Sequence, residues 1–86
     1  MAYPASVERW RFLVEQYFAP EDVDKALYVI DIETAHTGDP TIKSGGDEQS
    51  WGLFQLNIGN GLGTGFTPQH LQDPEANIAI AAGAVY

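Results

Sequence analysis

The chain has no cysteine, so no disulfide can staple it, and no C-x-x-C or H-x-x-H pair offers ligands to a structural zinc. Without cysteine usage to read, the redox compartment stays open. Cations are scarce: four Lys and Arg stand against twelve Asp and Glu, a formal net charge of -8. Nucleic-acid binders neutralise phosphates with clustered Lys and Arg, and anionic membranes attract the same groups. That balance argues against both partners. No apolar run approaches the ~20 residues of a membrane span. The opening, MAYPASVERW, lacks a basic stretch followed by an apolar one, so no Sec-type leader is expected. What is present is an acidic chain of 86 residues, 44% hydrophobic. It is sized for one soluble, thin-cored domain over residues 1–86.

Glycine is nearly absent from both ends. Eight of the nine glycines lie between Gly38 and Gly65, which leaves two helix-patterned zones around a turn-rich middle. Val7, Trp10, Leu13, Val14 and Tyr17 recur at three-to-four spacing, so a first helix is expected from Ser6 to Phe18. Pro20-Glu21-Asp22 restarts the chain, and a second helix is expected from Glu21 to about Ala35, with Gly38 near its cap. Ser44-Gly45-Gly46-Asp47 is a turn by composition, and Ser50 to Asn57 is a strand or a short helix. Thr67-Pro68 and Asp73-Pro74 each place a capping side chain before a proline, so each starts a helix, the second continuing to the end. The fold class is therefore mainly α, at most α+β with a short hairpin or turn-rich loop between the second and third helices.

Among the carboxylates Glu33 has the most distinctive setting. Ile30, Val29 and Ala26 precede it at three, four and seven residues, and it falls in the last turn of its helix. An apolar row and the negative end of a helix dipole both favour the neutral acid, as a general acid working near neutrality requires. Asp31 is its nearest rival, on a wetter row with Tyr28 and Asp24. Asp47 lies in a glycine-bounded loop from which an acid can reach a cleft. Gln55 is an amide inside an apolar run, where backbone bonds would satisfy it. His36 reads as a helix-terminus cation and His70 as a surface residue. The glycines at 59, 61, 63 and 65 lack the following Lys-Ser/Thr of a phosphate loop.

Three pieces stand in order: Ile32-Glu33-Thr34, then Gly52-Leu53-Phe54-Gln55-Leu56-Asn57, then Asp73-Pro74-Glu75-Ala76-Asn77-Ile78. Their order and spacing resemble the lysozyme-like domain of soluble lytic transglycosylases and goose-type lysozymes, over roughly residues 23 to 86. The resemblance implies cleavage of the β-1,4 bond between N-acetylmuramic acid and N-acetylglucosamine in peptidoglycan. Glu33 takes the position of the family's catalytic acid. Thr34, Gln55, Asn57 and Gly52 match positions around the sugar, and no metal or other cofactor is implied. Goose-type lysozymes often carry an acid where Asn57 stands, and an inverting hydrolase needs a second carboxylate. Asp47 is the candidate for it, so the pattern favours a transglycosylase over a hydrolytic muramidase. The partner implied is the glycan strand, and the place of action the bacterial cell wall, with a phage-encoded or virion-associated origin suggested by the missing leader. The family's later helices, including a tyrosine-bearing segment, have no counterpart here.

Two other classes fit parts of the pattern. A lysozyme-like module can bind glycan, or serve as a virion or tape-measure segment, without turnover. A helical interaction domain would rest on Ile78 to Tyr86, which has no charged residue. A helix apolar on every face needs cover, so self-association through this C-terminal helix, giving a homo-oligomer, is expected.

Overall fold

In the computed structural model, which describes residues 3–44 and 49–84, the N-terminal pattern folds as two short helices rather than one. Helix α1 spans Ala5–Glu8 and α2 spans Arg11–Glu15. The break at Arg9 and Trp10 has a tertiary cause. The Trp10 indole donates to Gly38 O at 2.8 Å, and the Arg9 guanidinium reaches the same oxygen at 3.3 Å. Ser6 Oγ donates to His36 O at 2.9 Å. Gly38 must be glycine for this contact, since a Cβ there would lie 2.0 Å from Ser6 O. Its role is close packing on α1 rather than the helix cap expected of it.

A 3-10 turn at Pro20–Asp22 leads into α3, Val23–Glu33. Val23, Ala26, Leu27 and Ile30 form its buried face. The helix stops at Glu33 because Ala35 and His36 turn left-handed, at φ 53° and 69°. Asp31 O then accepts from His36 N at 2.7 Å, closing the end of the helix.

The apolar stretch from Ser50 to Asn57 is neither one strand nor a helix. It is a hairpin of two-residue strands. Strands β1 (Lys43–Ser44), β2 (Ser50–Trp51) and β3 (Leu56–Asn57) form an antiparallel sheet in the order β1-β2-β3, with Lys43 opposite Trp51 and Trp51 opposite Leu56. The molecule is thus a mixed α+β structure, not plainly mainly α. The sheet falls where a hairpin was expected, between α3 and the helices that follow.

Local capping chemistry sets the last two helices. Helix α4 spans Pro68–Leu71, and Thr67 Oγ1 accepts from His70 N at 3.1 Å. Helix α5 spans Pro74–Ala81, with Asp73 accepting from the Glu75 and Ala76 amides. It ends before the expected end because Gly83 takes φ 86° and Ala84 N bonds back to Ala79 O. The core has two parts: Val7, Val14, Leu27, Ile30, Leu53 and Ile78 in one, Leu56, Leu71 and Ile80 in the other. Ala76 through Ile80 are all buried. The exposed apolar helix that motivated self-association is therefore covered within the chain over these residues. Exposed large apolar groups lie elsewhere, at Phe12, Tyr28, Ile32 and Leu62. Among the described residues no helix is long and apolar enough to cross a membrane.

Candidate active site

Glu33 ends α3 with its side chain exposed, and its carboxylate has no hydrogen-bond or ion-pair partner among the described residues. The burial expected from its apolar row is absent. Ile30 and Ala26 turn into the core, while Val29, one helical turn before Glu33, borders open space. That space is a groove of about 330 Å³ lined chiefly by Phe18, Ala26, Val29, Phe54, Leu56 and Leu62. Phe18 and Phe54, both in its lining, stack on each other with centroids 5.8 Å apart. Tyr28 and Ile32, both about half exposed, extend apolar surface beside the same helix end.

The other expected site residues are drawn into the framework. Thr34 is fully buried; its hydroxyl donates to Ile30 O at 2.7 Å and accepts from Gly38 N at 2.9 Å. It cannot face a cleft without opening the turn that ends α3. Gln55, in a left-handed conformation at φ 50°, donates to Ile42 O and Gly52 O at 3.0 and 2.9 Å. Its Oε1 accepts from Ser44 Oγ, so the amide ties β1 to the β2–β3 turn. Asn57 organises the glycine-rich loop. Its Oδ1 accepts from the Gly59 and Asn60 amides at 2.7 and 3.0 Å, and its carbonyl accepts from Gly61 and Gly63.

Gly52 has φ 81°, and a Cβ there would fall 2.2 Å from Asn77 Nδ2 and 2.3 Å from Leu71 O. The close approach it permits is to its own chain, not to an open cleft. Asp47 lies outside the described residues. Gly52, Gln55 and Asn57 thus gather around the sheet and Thr34 packs beneath the end of α3, while Glu33 alone points outward.

Sequence reasoning missed the roles of two residues. Asn77, fully buried in α5, accepts from Phe54 N and donates to Trp51 O and Leu71 O, each at 2.9 Å. Its place in the third piece, as an asparagine amid the apolar residues Ala76, Ile78, Ala79 and Ile80, marked the position but not this bracing role. Asp31 is buried near the C-terminal end of α3 and sits 2.9 Å from His36 Nδ1. Among the described residues, no group of three or more His, Asp or Glu is placed to hold a metal ion.

No protein-family model matches the chain, and no curated protein or solved structure matches it either. The case for a function therefore rests on the residues themselves.

Proposed function

We propose that this chain is a lysozyme-like domain that cleaves peptidoglycan at the bacterial cell wall, as a lytic transglycosylase with Glu33 as its single general acid and base. The observation that carries the reading is the setting of Glu33. It is an exposed carboxylate at a helix end, without a partner among the described residues, one turn beyond an open groove lined by two stacked phenylalanines. Sugar rings pack their C–H faces on such rings, and a strand laid along the groove would bring a glycosidic oxygen to the carboxyl. The physical continuity of the motifs gives further support. Asn77 of the third piece accepts from Phe54 N of the second, and Leu53 and Ile78 of those two pieces share a core cluster with Ile30, two residues before the first.

In this mechanism Glu33 protonates the glycosidic oxygen as the bond to the muramoyl carbon breaks. The resulting carboxylate then takes the proton of the muramoyl C6 hydroxyl, whose oxygen closes onto that carbon as a 1,6-anhydro sugar. No water is consumed. Glu33 is exposed, so the bound glycan must exclude water from it. Mass spectrometry of digested peptidoglycan tests the proposal. Anhydro-muropeptides are the expected product, and reducing ends would instead mean a hydrolase. Glu33→Gln should cut turnover by about 10²–10⁴-fold, whereas activity within a few-fold of the unsubstituted chain would remove Glu33 from the mechanism.

One observation favours a second reading, a glycan-binding or virion structural module without turnover. Thr34 spends its hydroxyl on the backbone and Gln55 its amide on the backbone and Ser44, and among the described residues no side chain is bonded to Glu33 to orient it. Glycan binding without any cleavage product would select that reading.

A further inference from the structure

We propose that Asn60 is a site of spontaneous covalent modification, closing onto the backbone nitrogen of Gly61 to form a succinimide that water opens to aspartate and isoaspartate. The chain has three asparagines, and their environments differ in every respect that governs this reaction. Asn77 is fully buried, its amide is held by three hydrogen bonds, and Ile78 follows it. Asn57 has its Oδ1 fixed by two backbone amides, and Ile58 follows it. In both, a branched side chain shields the nitrogen that must attack. Asn60 and Gly61 are both exposed, and the Asn60 side chain makes no hydrogen bond among the described residues. Gly61 has no side chain to obstruct the approach.

The step balances without an oxidant or a catalyst. Hydroxide takes the proton of the Gly61 amide, and the nitrogen attacks Asn60 Cγ. The Cγ–Nδ2 bond breaks, the water formed from hydroxide returns a proton to the departing nitrogen, and ammonia leaves. Water then adds to one of the two succinimide carbonyls. Opening at Cγ gives aspartate with the backbone intact. Opening at the main-chain carbonyl gives isoaspartate, in which the backbone runs through Cγ and is one carbon longer.

The fold slows this reaction but does not block it. Gly61 N donates to Asn57 O at 3.1 Å, and the same carbonyl accepts from Gly63 N at 3.0 Å. The nitrogen must leave that bond before it can attack. One exposed backbone hydrogen bond is worth little net, so the folded chain should react roughly 2- to 10-fold more slowly than the unfolded one. The glycines at 59, 61 and 63 give the loop conformational freedom to open. The product adds a negative charge to a chain already at -8. Isoaspartate also lengthens the loop that carries Leu62, a wall of the groove beside α3. The inference is independent of the glycosidase reading.

The test ages the full folded chain in mildly alkaline buffer beside the same chain in urea. Peptide mapping with fragmentation that separates aspartate from isoaspartate reads each asparagine. Conversion confined to residue 60, mostly to isoaspartate and within about tenfold of the rate in urea, is the expected result. Asn60→Ser should abolish the charge variant that accumulates in the aged chain. Conversion of Asn57 or Asn77 in the folded chain as fast as Asn60 would overturn the proposal. So would an intact Asn60 after folded ageing that exceeds the urea conversion time about a hundredfold.

Discussion

Replacing Asn77 tests whether one buried amide joins the sheet to the C-terminal helices. Asn77→Ala strips partners from Phe54 N, Trp51 O and Leu71 O together. The bond to Leu71 O is buried and the other two are partly buried. An abandoned buried acceptor costs about 1–3 kcal/mol and a half-hydrated one nearer 0.5–1.5, so the loss should be about 2–6 kcal/mol in all. A chain of this length has about 4–13 kcal/mol to lose. Asn77→Asp separates hydrogen bonding from cavity formation, because it keeps the volume and the acceptor for Phe54 N. It turns the donor into an oxygen facing two carbonyls, so at neutral pH it should destabilise at least as much as alanine. Urea denaturation read by far-UV circular dichroism and by fluorescence of Trp10 and Trp51 measures both. Gly52→Ala adds an independent check, since its Cβ collides with Asn77 Nδ2 and Leu71 O and its φ is left-handed. Its cost should shrink by about 0.5–3 kcal/mol in the Asn77→Ala background, where one of the two collisions is gone. Additive costs, or an Asn77→Asp chain within about 0.5 kcal/mol of the unsubstituted one, would refute the reasoning.

Glu33→Gln should leave the urea midpoint unchanged, because an exposed carboxylate with no partner among the described residues contributes within about ±0.5 kcal/mol; a large stability loss would mean that its effect on turnover is indirect. Thr34→Val deletes the acceptor of Gly38 N inside the core and should cost about 1–3 kcal/mol, with Thr34→Ser recovering most of it in thermal melts. Equal losses for valine and serine would assign Thr34 to packing alone. The Thr41 backbone amide, followed by the Thr41 hydroxyl, holds the Asp39 carboxyl below its ordinary range. A depressed folded-state value adds stability above the unfolded carboxyl range and loses it as pH falls through the folded one. Asp39→Asn should therefore be less stable than the unsubstituted chain near neutrality, with the gap closing below about pH 4; an unchanged gap in acid would sink the assignment.

What the sequence revealed was what its neighbours in the chain decide. Thr67-Pro68 and Asp73-Pro74 announce α4 and α5 because cap and proline act within one turn. The break at Trp10 was illegible because its partner, Gly38 O, lies 28 residues away. The stretch from Ser50 to Asn57 hid a hairpin because strands of two residues carry no period. At the site, the pattern located Glu33 on a row with Val29 but could not tell whether anything covers that row. Periodicity reports which residues are apolar, not which neighbour arrives to bury them.

The residues that carry the resemblance divide by whether folding needs them. Gly52 is required by the overlap a Cβ would make with Asn77 and Leu71, Asn77 by three backbone partners, and Thr34 by the turn that ends α3. Gln55 clasps two segments of the sheet region. Each would be kept by a chain that folds this way and does no chemistry, so their presence argues for the framework rather than for turnover. Glu33 is different. Among the described residues it has no hydrogen-bond or ion-pair partner, and it sits at the end of a helix whose dipole opposes an anion. Stability supplies no reason for a glutamate there. A residue that the fold does not need, placed one turn from an open aromatic groove, is where the functional hypothesis should be tested first.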